Sequence, residues 1–230
     1  RFSTPILAAP MDSVVSPASA AELSRLGALA VLNLEGLWTR YADPQPVLER
    51  IRQLPTQDVV RGLQEAYATA PVDPELIGQR VQELRESGGT IAVAVSPPHA
   101  AELAPHAVAA GIELLVIRGT TVSAEHVSEH GEPLNLKTFI YDLDVPVIVG
   151  GCSTYQAALH LMRTGAAGVL VGFGGGAAHT TSDVLGIRVP MATAISDVAA
   201  ARRDYLDESG GRYVHVIADG GLGTSGDIVK

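Results

Sequence analysis

The sequence predicts an α/β protein with a parallel sheet, arranged as a (β/α)8 barrel, and three observations lead there. Seven short apolar runs alternate with helical patterns, and no hairpin turn separates successive runs. The runs are near-continuous rather than alternating, as expected of strands buried on both faces. With 230 residues, 47% hydrophobic and only 4% aromatic, the chain can bury one large core of Ala, Val, Leu and Ile. A complete barrel typically takes about 250 residues, so the eighth strand would fall just past Lys230. The expectation is therefore a single barrel domain over 1–230, with terminal parts missing. An open, doubly wound sheet is the alternative. Its dinucleotide fingerprint belongs in the first βα turn, where Pro10-Met11-Asp12 carries no glycine.

The elements follow in order. The run 5–9 (PILAA) precedes a helix at 17–26, and 29–32 (LAVL) gives the second strand. Residues 38–74 are broken by Pro44, Pro46, Pro55, Pro71 and Pro74, which predicts short helices over one barrel end, among them 46–53. A helix at 73–87 leads to the strand 91–95 (IAVAV), and a helix at 100–110 to 114–117 (LLVI). The strands 146–149 (PVIV), 169–171 (VLV) and 213–218 (YVHVIA) alternate with helices at 136–143, 154–164 and 196–209. Gly27, Gly88, Gly111, Gly165 and Gly210 each follow a helix where a left-handed residue ends it.

Composition excludes several classes of function. A net charge of −9 leaves no basic stripe for nucleic-acid phosphates, and the Arg202-Arg203 pair is surrounded by Asp204, Asp207 and Glu208. Cys152 is the only cysteine, which rules out a disulfide framework and points to the cytoplasm. No apolar run reaches the roughly 18 residues of a membrane-spanning helix, and no signal-peptide pattern opens the chain. The histidines show no metal-ligand spacing; His126 and His130 are four apart, but in a loop-like stretch, so no metal site is predicted.

The candidate site residues fall where a barrel enzyme builds its site, after the strands. Pro10-Met11-Asp12 follows the first, Arg118-Gly119-Thr120 the fourth and Gly150-Gly151-Cys152 the fifth. The loop with Gly172, Gly174, Gly175 and Gly176 follows the sixth, and Asp219-Gly220-Gly221 the seventh. All five are expected at one mouth. So many glycines at a strand end signal close approach or positive φ, and their successive N–H groups suit an anion. Asp219 suits a vicinal diol, each carboxylate oxygen accepting one O–H, or it caps a turn before a helix.

The stretch 168–181, GVLVGFGGGAAHTT, resembles the catalytic loop of the IMP dehydrogenase/GMP reductase family, written G-x-G-P-G-S-x-C-T-T-R. The segment 218–227, ADGGLGTSGD, is similar to that family's A-D-G-G-x-x-x-S-G-D, and Ala9-Pro10-Met11-Asp12 also fits. Asn33-Leu34-Glu35-Gly36 and the helix through 202–208 look like the short branch without the regulatory CBS insert, and 38–74 is too short for one. The resemblance implies an oxidoreductase that binds a purine nucleoside 5′-monophosphate, uses NAD or NADP, and forms a homotetramer. It places the phosphate on amides of Gly174, Gly175, Gly176, Gly220 and Gly221, the ribose on Asp219, and Met11 near the base. It implies a catalytic role at position 179 and for Thr181, cofactor contacts at Arg118, Gly150 and Gly151, and K+ at the glycine loop.

The departures lie in the same loop. In the family a Cys adds to C2 of the purine ring and holds a covalent intermediate while hydride leaves. His179 stands at its place, open to three readings: a poor nucleophile, a general base near neutrality, or a loop residue in a degenerate site. Ala177 replaces the phosphate-binding Ser, and Ser182 the Arg after Thr-Thr. Gly151 stands where the family has Asn, with Cys152 next to it as a substitute nucleophile or a small buried hydrophobe. Arg118 reverses the charge of a cofactor-contacting Asp, which fits an extra phosphate, the loss of ordinary NAD binding, or a rim salt bridge. A catalytically silent nucleotide-binding relative is the alternative to an enzyme.

Overall fold

The computed structural model describes residues 3–119, 125–126, 134–176 and 179–230. Its strands are β1 (Leu7–Ala8), β2 (Leu29–Asn33), β3 (Ala92–Val95), β4 (Leu114–Arg118), β5 (Glu125–His126), β6 (Leu134–Asn135), β7 (Val147–Cys152), β8 (Gly168–Gly175) and β9 (His215–Gly220). The seven expected strands share one sheet in the order β1-β2-β3-β4-β7-β8-β9, which is chain order. The pairs β1–β2, β2–β3, β7–β8 and β8–β9 are parallel. This is the topology of a (β/α)8 barrel, as predicted. One expectation fails: β5 and β6 pair antiparallel, Glu125 opposite Asn135 and His126 opposite Leu134. Two-residue strands are too short to show the period of two by which a hairpin is read.

The helices are α1 (Pro17–Arg25), α2 (Gln45–Arg52), α3 (Val59–Thr69), α4 (Pro74–Glu86), α5 (Pro97–Ala110), α6 (Leu136–Tyr141), α7 (Tyr155–Arg163), α8 (Thr181–Leu185), α9 (Met191–Glu208) and α10 (Ser225–Val229). The chain groups into two compact units, Arg1–Val95 with Glu102–Leu115, and Ser96–Ala101 with Val116–Lys230. The glycines expected after helices all have positive φ, from +69° at Gly210 to +99° at Gly165.

In the first unit the caps explain where helices begin. Ser16 accepts from the Ser19 amide while Ser19 Oγ accepts from the Ser16 amide, and Pro17 follows at the first helical position of α1. Asp73 accepts from the Glu75 amide ahead of Pro74 in α4. The proline-broken stretch does form short helices, α2 and α3, with single turns at Leu37–Thr39 and Thr56–Asp58. The sequence reading overlooked α3, because β-branched Val59 and Val60 and an internal Gly62 lower its propensity. Packing overrides that: Ala66 is buried with Leu37 and Ile51, and a Cβ on Gly62 would stand 2.4 Å from Leu54 Cδ1. Buried Arg80 ties the stretch down. It donates to the carbonyls of Trp38, Tyr41 and Ala42 and pairs with Glu83 at 2.6 Å.

In the second unit β7 is buried throughout, as are the first five residues of β8. Against them lie α7, through Ala158, Leu161 and Met162, and α9, through Ala194, Val198, Ala201 and Tyr205. These three- and four-residue spacings are the apolar stripe of a helix lying on a sheet. Arg163 clamps Glu208 with two bonds, 2.8 and 2.6 Å, and Tyr155 donates to Asp204 at 2.7 Å, linking α7 to α9 at the surface. β9 has a neighbour on one side only and is more exposed than β7 or β8.

Candidate functional site at the glycine loop

The C-terminal ends of β4, β7, β8 and β9 meet within the second unit through backbone contacts. Gly119 N–H donates to Gly150 O at 2.9 Å, and Gly151 N–H donates to Gly119 O at 3.1 Å. A Cβ on Gly151 would stand 2.2 Å from Gly172 O, so no side chain fits there, and position 151 is closed to an Asn. Further along, Gly175 pairs with Gly220, and a Cβ on Gly220 would lie 2.7 Å from the Gly176 nitrogen. Gly220 has φ +75°, a conformation that also favours glycine. The two loops thus touch main chain to main chain.

A cavity of about 320 Å³ opens beside this contact, lined among others by Gly174, Gly175, Gly176, His179 and Gly221. That is the lower end of the range for small-molecule sites, roughly 300–1,000 Å³. Thr181, the first residue of α8, packs against Gly174: a Cβ there would stand 2.5 Å from Thr181 Oγ1. His179 is exposed, donates its N–H to Gly176 O at 3.0 Å, and rests its ring on Gly176. Asp219 is half-buried at the end of β9; its carboxylate has no hydrogen-bond or ion-pair partner among the described residues, and it does not line the cavity. A second cavity, about 680 Å³, lies at the opposite strand ends, next to Val147 and Ala167. In this topology that end carries stability rather than chemistry.

Residues 1–230 match the IMP dehydrogenase / GMP reductase domain. Oxidoreductases described as uncharacterized from Mycolicibacterium smegmatis and Mycobacterium tuberculosis are 56% and 57% identical over 236 residues; both alignments take in all of this chain and 63% of the relative. The inosine-5′-monophosphate dehydrogenase of Haemophilus influenzae is 38% identical over 123 residues, 54% of this chain and 23% of that enzyme. A crystal structure of an IMP dehydrogenase/GMP reductase-like protein from Corynebacterium glutamicum superposes with a TM-score of 0.91 at 50% identity, over 99% of this chain and 60% of that one. The chain belongs to the IMP dehydrogenase/GMP reductase family. It spans 63% of the length of these mycobacterial relatives.

Family membership raises the question of where a reactive thiol could lie. Cys152 is 1% exposed and directs its S–H at Leu170 O, 3.4 Å away. Burial pushes its thiol up from 9.0 to about 12. A thiol so placed is a packing group and not a nucleophile. Arg118 is half-buried at the end of β4 and has no ion pair among the described residues. Ala177, Thr120 and His130 lie outside the described residues, and no cluster of three His, Cys, Asp or Glu suited to a metal occurs among those described. Met11 and Asp12 belong to the first unit. There Met11 is exposed, while Asp12 accepts from the Leu37 amide at 3.0 Å and the Tyr67 hydroxyl at 2.9 Å. The carboxylate of Asp12 is thus a structural hub.

Three residues of the site were overlooked in the sequence. Met191 fills the space beside Gly172 and Gly221, whose Cβ positions would stand 3.0 Å from its Sδ and 2.6 Å from its Cγ. Its signal was Pro190, which starts α9 five residues earlier than the predicted 196. Asp227 accepts from the Thr224 amide and hydroxyl while Thr224 caps α10, a T-x-x-D capping box hidden in the family motif. Those bonds hold the Asp227 carboxyl below its ordinary value. The third residue is Arg188, whose guanidinium donates to Ser182 Oγ.

Proposed function

We propose that the cavity beside the glycine loop takes a purine nucleoside 5′-monophosphate. The phosphate rests on amides of Gly174–176 and Gly220–Gly221, and Asp219 accepts both ribose hydroxyls. The observation behind this reading is the main-chain contact between the two glycine segments around one cavity, with an Asp219 carboxylate that has no partner among the described residues. A carboxylate without a donor is ready for a diol. The base then lies toward His179 and Thr181, which take the catalytic positions of the family.

A nicotinamide cofactor, NAD or NADP, would approach along Arg118 and the Gly150–Gly151 backbone. The guanidinium of Arg118, without an ion pair among the described residues, suits a phosphate of such a ligand. When bound, the cofactor supplies a hydride acceptor or donor. A potassium ion at the loop would depend on backbone carbonyls, of which Gly176 O already accepts from His179. The same reading includes a homo-oligomer, a tetramer by resemblance, and a cytoplasmic location suited to a chain with one unpaired cysteine. Among the described residues no helix is long and apolar enough to cross a membrane.

The buried Cys152 favours a second reading, a catalytically silent nucleotide-binding relative, because no thiol of this chain reaches the cavity. Thermal shift of the full-length protein with IMP, XMP, GMP, NAD and NADPH separates ligand classes. A ligand at 100 times its Kd stabilises by about 2.7 kcal/mol. Stabilisation by a purine monophosphate supports the site; none by any of them removes it.

A further inference from the structure

Among the described residues lining the glycine-loop cavity, Arg188 carries the permanent positive charge. Its Nε donates to Ser182 Oγ at 2.8 Å and its Nη2 to the same oxygen at 2.5 Å. Two of five N–H groups are thereby used and three remain. The nearest carboxylate, Asp183, is 3.8 Å away, and the two side chains are 73% and 82% exposed. Such a pair neutralises little in water.

The arrangement answers a deficit already noted. Ser182 stands where the family motif has the Arg after Thr-Thr, so this loop has lost a cation. The hydroxyl at 182 serves instead as a rest for a guanidinium six residues later. The chain carries it there through the left-handed Gly186, φ +68°, which closes α8 and turns residues 187–190 along the cavity. We propose that Arg188 is the phosphate-binding side chain of this cavity, its free Nη donors gripping a phosphomonoester dianion from the side opposite the glycine amides. A planar fork and backbone N–H groups together match a tetrahedral anion that accepts from several directions. This inference rests on the nucleotide reading, and the dianion has two possible sources, a nucleotide 5′-phosphate or free inorganic phosphate.

Calorimetry on the full-length protein and its Arg188→Gln variant tests it, with IMP, inosine and inorganic phosphate as probes. Arg188 is exposed, so the variant should keep its fold, which circular dichroism checks. Loss of a charge-assisted fork should weaken IMP about thirtyfold and leave inosine unchanged. Arg188→Lys should fall between, keeping charge without the fork. Phosphate should displace IMP from the wild type and not measurably from Arg188→Gln. IMP binding to Arg188→Gln within about twofold of wild type overturns the role of Arg188 and leaves the nucleotide reading intact. If the wild type binds no purine monophosphate but phosphate still raises its melting temperature only when Arg188 is present, the nucleotide reading falls and the anion site stands. If phosphate acts equally with and without Arg188, the anion site falls too.

Discussion

Position 179 shows how little of a site is fixed by its scaffold. The glycine segments keep their main-chain contact, yet the side chain that the loop's resemblance sets at the thiol position is an exposed imidazole. Cys152 cannot substitute. Its S–H is satisfied by Leu170 O of the neighbouring strand β8, and the residue is buried. Iodoacetamide should therefore leave native Cys152 untouched and label it fully once urea unfolds the chain, as mass spectrometry would show; rapid native labelling would refute its burial. The pH dependence follows the same logic. Because burial raises the thiol from 9.0 to about 12, its contribution is fully present below pH 9 and lost as pH rises toward 12. The stability advantage of wild type over Cys152→Ala should shrink across that window in urea titrations. For Asp219 the expected effect is on binding: Asp219→Ala removes the diol acceptor and should weaken a purine monophosphate by about 1.5–3 kcal/mol. Equal affinity for ribose and 2′,3′-dideoxyribose nucleotides would show that the diol is held elsewhere.

At the scale of elements, what could be read was what repeats. Each of the seven sheet strands is a short apolar run closed by polar or glycine residues, and the helices between them carry caps and terminal glycines, so all seven lie where expected. Elements held by tertiary contacts could not be read. The helix α3 contains Gly62 only because Leu54 fills the space of a side chain, and its Tyr67 matters for a residue 55 positions away. Burial, then Asp12, push the Tyr67 hydroxyl pKa upward, so it stays a donor at all working pH values. Tyr67→Phe takes one of two donors from Asp12 Oδ2 while Leu37 N–H remains. Its cost should be about 1.5 kcal/mol in a denaturant titration, the lower end for a lost bond to a charged acceptor. A loss of 3 kcal/mol or more would mean that the hydroxyl anchors the whole stretch between β2 and α4. The site divided along the same line. Glycines and Asp219 could be read from their motifs, whereas Met191, signalled by Pro190 alone, and Arg188 act through tertiary contacts.

For the whole molecule, family membership and turnover are separate questions. The domain match over residues 1–230 places this chain in the IMP dehydrogenase/GMP reductase family, but fold does not by itself give the chemistry. The family reaction divides a hard hydride transfer in two by adding a thiolate to the purine ring; in the proposed reading of the loop, His179 offers an imidazole instead. An imidazole adduct carries positive charge and is bulkier, which disfavours the addition. The full-length wild-type protein should therefore form NADH from IMP not at all, or more slowly than a Cys-bearing relative by several powers of ten. His179→Cys alone is not expected to restore the rate. Position 151 cannot take the family's Asn beneath Gly172 O, and Ala177, Ser182 and Arg118 differ as well. The decisive measurement is absorbance of NADH at saturating IMP and NAD for the wild type, His179→Ala and Cys152→Ser. Robust turnover that survives His179→Ala would place the reacting group elsewhere. Loss in Cys152→Ser would then mean that β7 opens during the reaction to expose its thiol.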